Sequence, residues 1–287
     1  MPAATTHVMF AQDVRKHLPE DIKKKITDTN MFLLGSQGPD LLFFSRVSLL
    51  PGSVKEWGNK MHYEKQDRFI PFFEKYSRED PELRSYYFGF LCHYALDSLA
   101  HPLVCAAAHR FYEETGENEG VAHVTMEGEI DVWMLHQRGR TIESYDVFNY
   151  LKVTSAQRKK IGKMYHEMFK EVFNADVSER KLSDCCAETP FLTKVLYPDE
   201  TKYKLFFKLE DLFKLGHKFS GMMLNNKSYS GVLNLEKKAL PLVHDPEKTI
   251  SSSFPELYGK AIYTAQHLIE NGKEEDYMLN FSGEPAR

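Results

Sequence analysis

His93, Asp97 and His101 recur at steps of four along the apolar run Phe90-Leu-Cys-His-Tyr-Ala-Leu-Asp-Ser-Leu-Ala-His-Pro102, and His123 and Glu127 repeat the step further on. On an α-helix, residues i and i+4 lie about 6 Å apart along the axis and about 40° apart around it. His93, Asp97 and His101 therefore share one stripe about 12 Å long, and His123 and Glu127 form a second pair. A single histidine on an apolar face is ordinarily a hydrogen-bonded core residue. Asp97, set between Leu96 and Leu99, changes that reading, because buried carboxylates are rare unless paired or bound to metal. Imidazole and carboxylate together suit zinc, and five such side chains in apolar surroundings point to more than one ion between helices.

The elements that must position these residues are helices. Apolar residues keep helical spacing through most of the chain, and no sustained period-two alternation appears, so the expected fold is all-α with few or no strands. Thr6 is expected to cap a helix carrying Phe10, Val14 and Leu18 that stops near Pro19. Further helices are expected at about 20–28, 54–76, 81–100, 121–137, 155–174, 200–222 and 255–271, with Pro102 ending or kinking the richest of them. The stretches at about 176–198 and 224–234 read as irregular. No internal repeat or low-complexity linker interrupts the chain. The expectation is a single domain over residues 1–287, with a ligand-bearing part at 1–140 and a helical remainder at 141–287.

The 287 residues can bury a sizeable core, and 42% hydrophobic with 27% charged residues is ordinary globular composition. A net charge of −4 argues against a nucleic-acid grip based on bulk charge. The start of the chain lacks the basic and apolar segments of a secretory signal, and no apolar run is long enough to span a bilayer, so a cytoplasmic location is expected. Cys92, Cys105, Cys185 and Cys186 are expected to be free thiols. One helical reading puts the first two about 20 Å apart, and the last two are adjacent. The segment from Lys202 to Leu215 mixes lysines with apolar residues at helical spacing, which suits either a solvated face or peripheral contact with a membrane surface. His109, His136, His166, His217, His244 and His267 carry no such pattern; His244-Asp245 is followed by Pro246 and reads as a loop pair.

With these residues in place, the sequence resembles the bacterial zinc-dependent phospholipase C family, which shares an all-α, three-zinc fold with the fungal single-strand nucleases. Thr6-His7, Gly38-Pro39-Asp40, His62 and the two helical runs carry the resemblance, which spans residues 7–127. It implies that Asp40, His62 and His93 hold one zinc, that Asp97 bridges it to a second ion held by His7, and that His101, His123 and Glu127 hold a third. It also implies a phosphodiester substrate, phospholipid included, attacked by zinc-held water with Asp40 as general base. Asp131 is either a hydrogen-bonding partner of a ligand histidine or a separately paired acid.

The chain departs from the family pattern at named places. No tryptophan precedes His7, so the main-chain ligands that such a residue supplies in secreted members have no counterpart beyond the Pro2 amine. Leu41 and Asn59 stand where choline-binding aromatics are found, which removes the physical basis for selecting a quaternary ammonium. Two other readings therefore stay open. One is a nuclease or nucleotidase stacking bases on Tyr86-Tyr87-Phe88; the other is a metal-binding relative without catalysis.

Overall fold

A computed structural model describes residues 4–48, 52–196, 200–214, 217, 220, 223 and 231–287. In chain order the helices are α1 (Ala4–His17), α2 (Glu20–Lys23), α3 (Thr29–Gly35), a 3-10 segment at Gly38–Ser48, α4 (Lys55–Tyr63), α5 (Gln66–Ser77) and α6 (Pro81–Thr115). They continue as α7 (Glu119–His136), α8 (Val147–Tyr150), α9 (Ser155–Phe173), α10 (Glu179–Leu196), α11 (Glu200–Phe213), α12 (Phe254–Asn271) and a short 3-10 turn at Glu274–Tyr277. The fold is all-α as expected, with one small antiparallel hairpin pairing β1 (Leu240–Pro241) with β2 (Thr249–Ile250), Leu240 opposite Ile250.

Several expected boundaries move, each for a local reason. Thr6 lies inside α1 and caps nothing: the backbone N–H groups of Thr5 and Thr6 donate to Asp131, at 3.2 and 2.8 Å. A carboxylate from α7 thus satisfies a helix end from outside. The expected helix at 54–76 is broken, because Lys65 adopts a left-handed backbone (φ 64°) between α4 and α5. Pro102 neither ends nor divides α6, which runs on to Thr115, and burial of Leu103, Ala106 and Ala107 offsets the lost backbone bond. The supposed loop at 176–198 is mostly α10, whose buried Leu182, Cys185, Cys186, Thr189 and Leu192 follow helical spacing through Pro190. α2 is shorter than the expected 20–28, and α3 follows it as an element of nearly uniform burial that no amphipathic pattern marks. Past Phe213, Lys214 turns the chain with φ 53°; most of the expected helix to 222, and residues 224–230, lie outside the described residues.

The chain separates into two compact units. The first comprises His7–Leu99, Phe148–Leu192 and Ala261–Arg287. Its core is aromatic: Phe10, Phe32, Phe69, Phe73, Phe90, Phe169 and Phe281 are fully buried, and the Tyr86 and Tyr165 hydroxyls pair at 2.9 Å. Tyr86, Tyr87 and Phe88 belong to this core, so they offer no surface on which bases could stack. α3 and α6 meet backbone to backbone: a Cβ on Gly35 would collide with the Tyr86 carbonyl, and one on Gly89 with that of Phe32.

The second unit comprises Met1–Thr6, Ala100–Val147 and Thr193–Lys260. Within it, α7 is capped by Asn118, whose side chain accepts from the Gly120 and Val121 N–H groups, and Trp133 meets Phe254 edge-on at 5.9 Å. The Asn234 amide donates to the Lys238 and Ser252 carbonyls and so ties down the chain flanking the hairpin.

The contact of α3 with α6 gives a prediction. Alanine in place of Gly89 gains about 1 kcal/mol in helix propensity, but the collision with Phe32 costs about 1–3 kcal/mol or more. Gly89→Ala is expected to unfold at lower urea concentration than the wild type; a more stable variant would show that the close approach is not what this position requires.

Candidate metal centres

In the first unit, α1, the 3-10 segment, α4 and α6 bring together His7, Asp40, His62, His93 and Asp97. His62 Nε2 lies 3.0 Å from Asp40 Oδ1, and His93 Nε2 lies 3.2 Å from Asp97 Oδ2. The other Asp97 oxygen, Oδ1, faces His7 Nε2 at 3.4 Å. Asp97 thus presents one oxygen to each of two histidines, the disposition of a bridging carboxylate. The His7 and His93 rings stack with centroids 4.2 Å apart, and His62 stands edge-on to His93 at 6.3 Å. Within this unit His7, Asp40 and His93 form one candidate ligand group and His62, His93 and Asp97 another, each with donor atoms within 4.8 Å of one another.

Backbone carbonyls orient two of these rings. His93 Nδ1 lies 3.1 Å from the Ser36 carbonyl just past α3, and His62 Nδ1 lies 2.7 Å from the Gly58 carbonyl one turn back in α4. A carbonyl can only accept, so each Nδ1 carries the proton and each Nε2 is left to face a carboxylate. Buried His93 Nε2 makes no aligned hydrogen bond, although Asp97 is beside it. Burial disfavours charge on His93, but Asp97 and then Asp40 outweigh it and hold its pKa above the ordinary imidazole range. Burial likewise opposes ionisation of Asp40, and the His62 hydrogen bond with the charges of His93 and His62 brings its carboxyl below the usual range. A lone pair turned toward a buried carboxylate is repulsive unless a proton or a cation lies between them. Donors about 2.0–2.2 Å from a tetrahedral zinc are about 3.2–3.6 Å apart, so the donor set fits that ion.

Gly38 sets the position of Asp40. It holds φ 53°, and a Cβ there would collide with the His93 ring, so glycine is required both for conformation and for space. On the far side of the rings, Phe281 packs 5.3 Å from both His62 and His93, and its N–H donates to the His62 carbonyl at 3.1 Å. Sequence reasoning had no signal for Phe281, which reaches the site only through the tertiary fold.

In the second unit, α6 contributes His101 and α7 contributes His123 and Glu127. The two Nε2 atoms are 3.1 Å apart, and Glu127 Oε1 lies 3.2 Å from His123 Nε2 and 3.9 Å from His101 Nε2. Burial lowers the affinity of His123 for its proton, yet Glu127 and then Cys105 raise its pKa to about 10. Burial opposes charge on Glu127, but His123 and His101 keep it well below the carboxylate range. Cys105 joins the cluster, its Sγ 3.7 Å from His101 Nδ1; burial works against its thiolate, and His101 and His123 nevertheless bring its pKa down to about 6. Cys105 is a free thiol as expected, and it reaches the cluster because it stands one helical turn after His101 on α6. All four cysteines are free. Asp131 faces Thr5 and Thr6, with no ligand histidine among its hydrogen bonds; burial raises its carboxyl to about 7 despite the bonds from those threonines.

Among comparisons with known proteins, the family model described as zinc-dependent phospholipase C matches residues 6–184, more than half of the chain and a span that includes every donor above. No curated protein and no solved structure matches.

The orientation of His93 fixes the sign of a pH effect. Its Nδ1 proton is held by Ser36, so an ion must displace the proton from Nε2, and zinc affinity rises as pH climbs through a pKa that lies above the usual imidazole value. Without metal, the raised His93 pKa contributes stability that is complete below the unfolded-state value and lost as pH rises through the folded one. Calorimetric zinc titration in buffers of different ionisation heat is expected to show proton release and tighter binding at about pH 8 than at about pH 6. Binding independent of pH would mean that His93 is not displaced.

Proposed function

Since the chain belongs to the zinc-dependent phospholipase C family, we propose that it is a zinc-dependent phosphodiester hydrolase with His7, Asp40, His62, His93, Asp97, His101, His123 and Glu127 as ligands to two or three ions. The observation that carries this reading is the set of buried imidazole nitrogens turned toward carboxylates in the first unit, where Asp97 meets two histidines. When bound, zinc supplies Lewis-acid charge to a phosphodiester and acidifies a water molecule.

The residues supply the rest. The Ser36 and Gly58 carbonyls keep His93 and His62 in the tautomer whose Nε2 can donate electrons. Asp97 neutralises charge on two sides at once. Asp40 is proposed as the general base: it takes the proton of the attacking water as the new oxygen–phosphorus bond forms, and the proton then goes to the departing ester oxygen. Its low pKa keeps it ionised at neutrality and makes it a weak base, so its contribution rests on position more than on basicity.

Phospholipid is favoured over nucleic acid among phosphodiesters. The aromatic run at 86–88 is buried and the net charge is −4, neither of which suits a nucleic-acid groove. A choline-selective pocket is not favoured either, since Leu41 is buried and aliphatic and Asn59 is exposed and polar. Contact with a lipid surface is supported by α11, which exposes Leu205, Leu209, Leu212 and Phe213 at helical spacing beside Lys202, Lys204 and Lys208. No helix among the described residues is long and apolar enough to cross a membrane.

Asp40→Asn is expected to lower hydrolysis of a chromogenic phosphodiester by about 100-fold or more, and His93→Ala to lose metal and activity together. Full activity in metal-free His93→Ala would overturn the reading, and bound zinc with no turnover across phospholipid, chromogenic and single-stranded DNA substrates would favour a non-catalytic relative. For the lipid surface, Leu212→Asp with Phe213→Asp should reduce co-sedimentation with anionic vesicles while leaving hydrolysis of a soluble substrate unchanged; equal sedimentation would remove α11 from the proposal.

A further inference from the structure

We propose that Cys105 is a further donor to the ion of the second unit, beside His101, His123 and Glu127. The proposal rests on the metal reading of His101, His123 and Glu127 and adds a ligand that the family resemblance does not supply.

Cys105 follows His101 by one helical turn on α6, as Glu127 follows His123 on α7, so two i, i+4 pairs face each other. One donor atom each from His101, Cys105 and His123 fall within 4.8 Å of one another. The His101 and His123 Nε2 atoms stand 3.1 Å apart, close to the about 3.3 Å edge between two nitrogens on tetrahedral zinc, and Cys105 Sγ reaches the same His101 ring at Nδ1, 3.7 Å away. Glu127 Oε1 stands 3.2 Å from His123 Nε2. Two neutral imidazoles, a thiolate and a carboxylate carry two negative charges, which balance a dication. A thiolate also favours zinc over magnesium or calcium.

The other cysteines do something different. Cys185 and Cys186 bond back to the Lys181 and Leu182 carbonyls of their own helix, and Cys92 is fully buried. Such an ion ties α6 to α7 within the second unit.

The test uses the full-length chain with zinc and with cobalt(II). Alkylation followed by peptide mass mapping is expected to find Cys105 protected in zinc-loaded protein and reactive after chelation. Cobalt-loaded protein should show a thiolate-to-metal charge-transfer band in the near ultraviolet that Cys105→Ala lacks, and that variant should bind zinc at this site at least about 10-fold more weakly. Alkylation of Cys105 indifferent to zinc, or a cobalt band that survives Cys105→Ala, would overturn the assignment. His123→Ala separates the two levels: if it keeps the full zinc complement, the metal reading itself falls. If it loses an ion while Cys105 alkylation ignores zinc, only the cysteine assignment falls.

Discussion

Imidazole nitrogens and carboxylate oxygens meet in the first unit where water does not compete, and charge balance there constrains everything around them. His93 is fully buried, His7 and His62 nearly so, yet Asp40 and Asp97 lie within about hydrogen-bonding distance of them. Charges removed from water are tolerated only in opposed pairs. A dication among these groups resolves the conflict more fully than a proton, because one ion can satisfy several lone pairs together. The pKa shifts express the same tension: against the cost of burial, Asp40 is drawn down by His62 and then His93, and His93 is drawn up by Asp97 and then Asp40.

The scaffold is organised to hold that arrangement still. Gly35 and Gly89 let α3 approach α6 closely enough for the Ser36 carbonyl to orient His93. Gly38 makes the turn into Asp40 without striking the same ring. Phe281 backs His62 and His93 and stacks on Phe69 with ring planes 5° apart, so the aromatic core and the polar donors form one packed body. Side chains fixed in this way lose little freedom when a ligand arrives, which is the physical meaning of a preorganised site.

The second unit reaches a related solution with different chemistry. There the imidazoles face each other, one carboxylate attends them, and a sulfur joins the set. Asp131, one turn beyond Glu127 on α7, serves the backbone instead, accepting from the first turn of α1 at Thr5 and Thr6, the residues just before His7. Two acids on one helix thus divide between side-chain and main-chain partners according to what the fold sets against them.

The helical class, the donor types and their i, i+4 spacing were legible in the sequence, because helical periodicity and ligand chemistry are local properties that survive without knowledge of the fold. The family resemblance likewise rested on short segments whose order could be read directly. Other features were not legible: the continuity of α6 through Pro102, the helical state of α10, and the uniformly buried α3. In each case tertiary burial outweighed local propensity. Which oxygen of Asp97 faces which histidine, which ring nitrogen is held by Ser36 or Gly58, and the arrival of Phe281 and Cys105 at their clusters were decided only by tertiary structure. Such relations depend on distances between segments far apart in the chain, and no local rule of spacing encodes them.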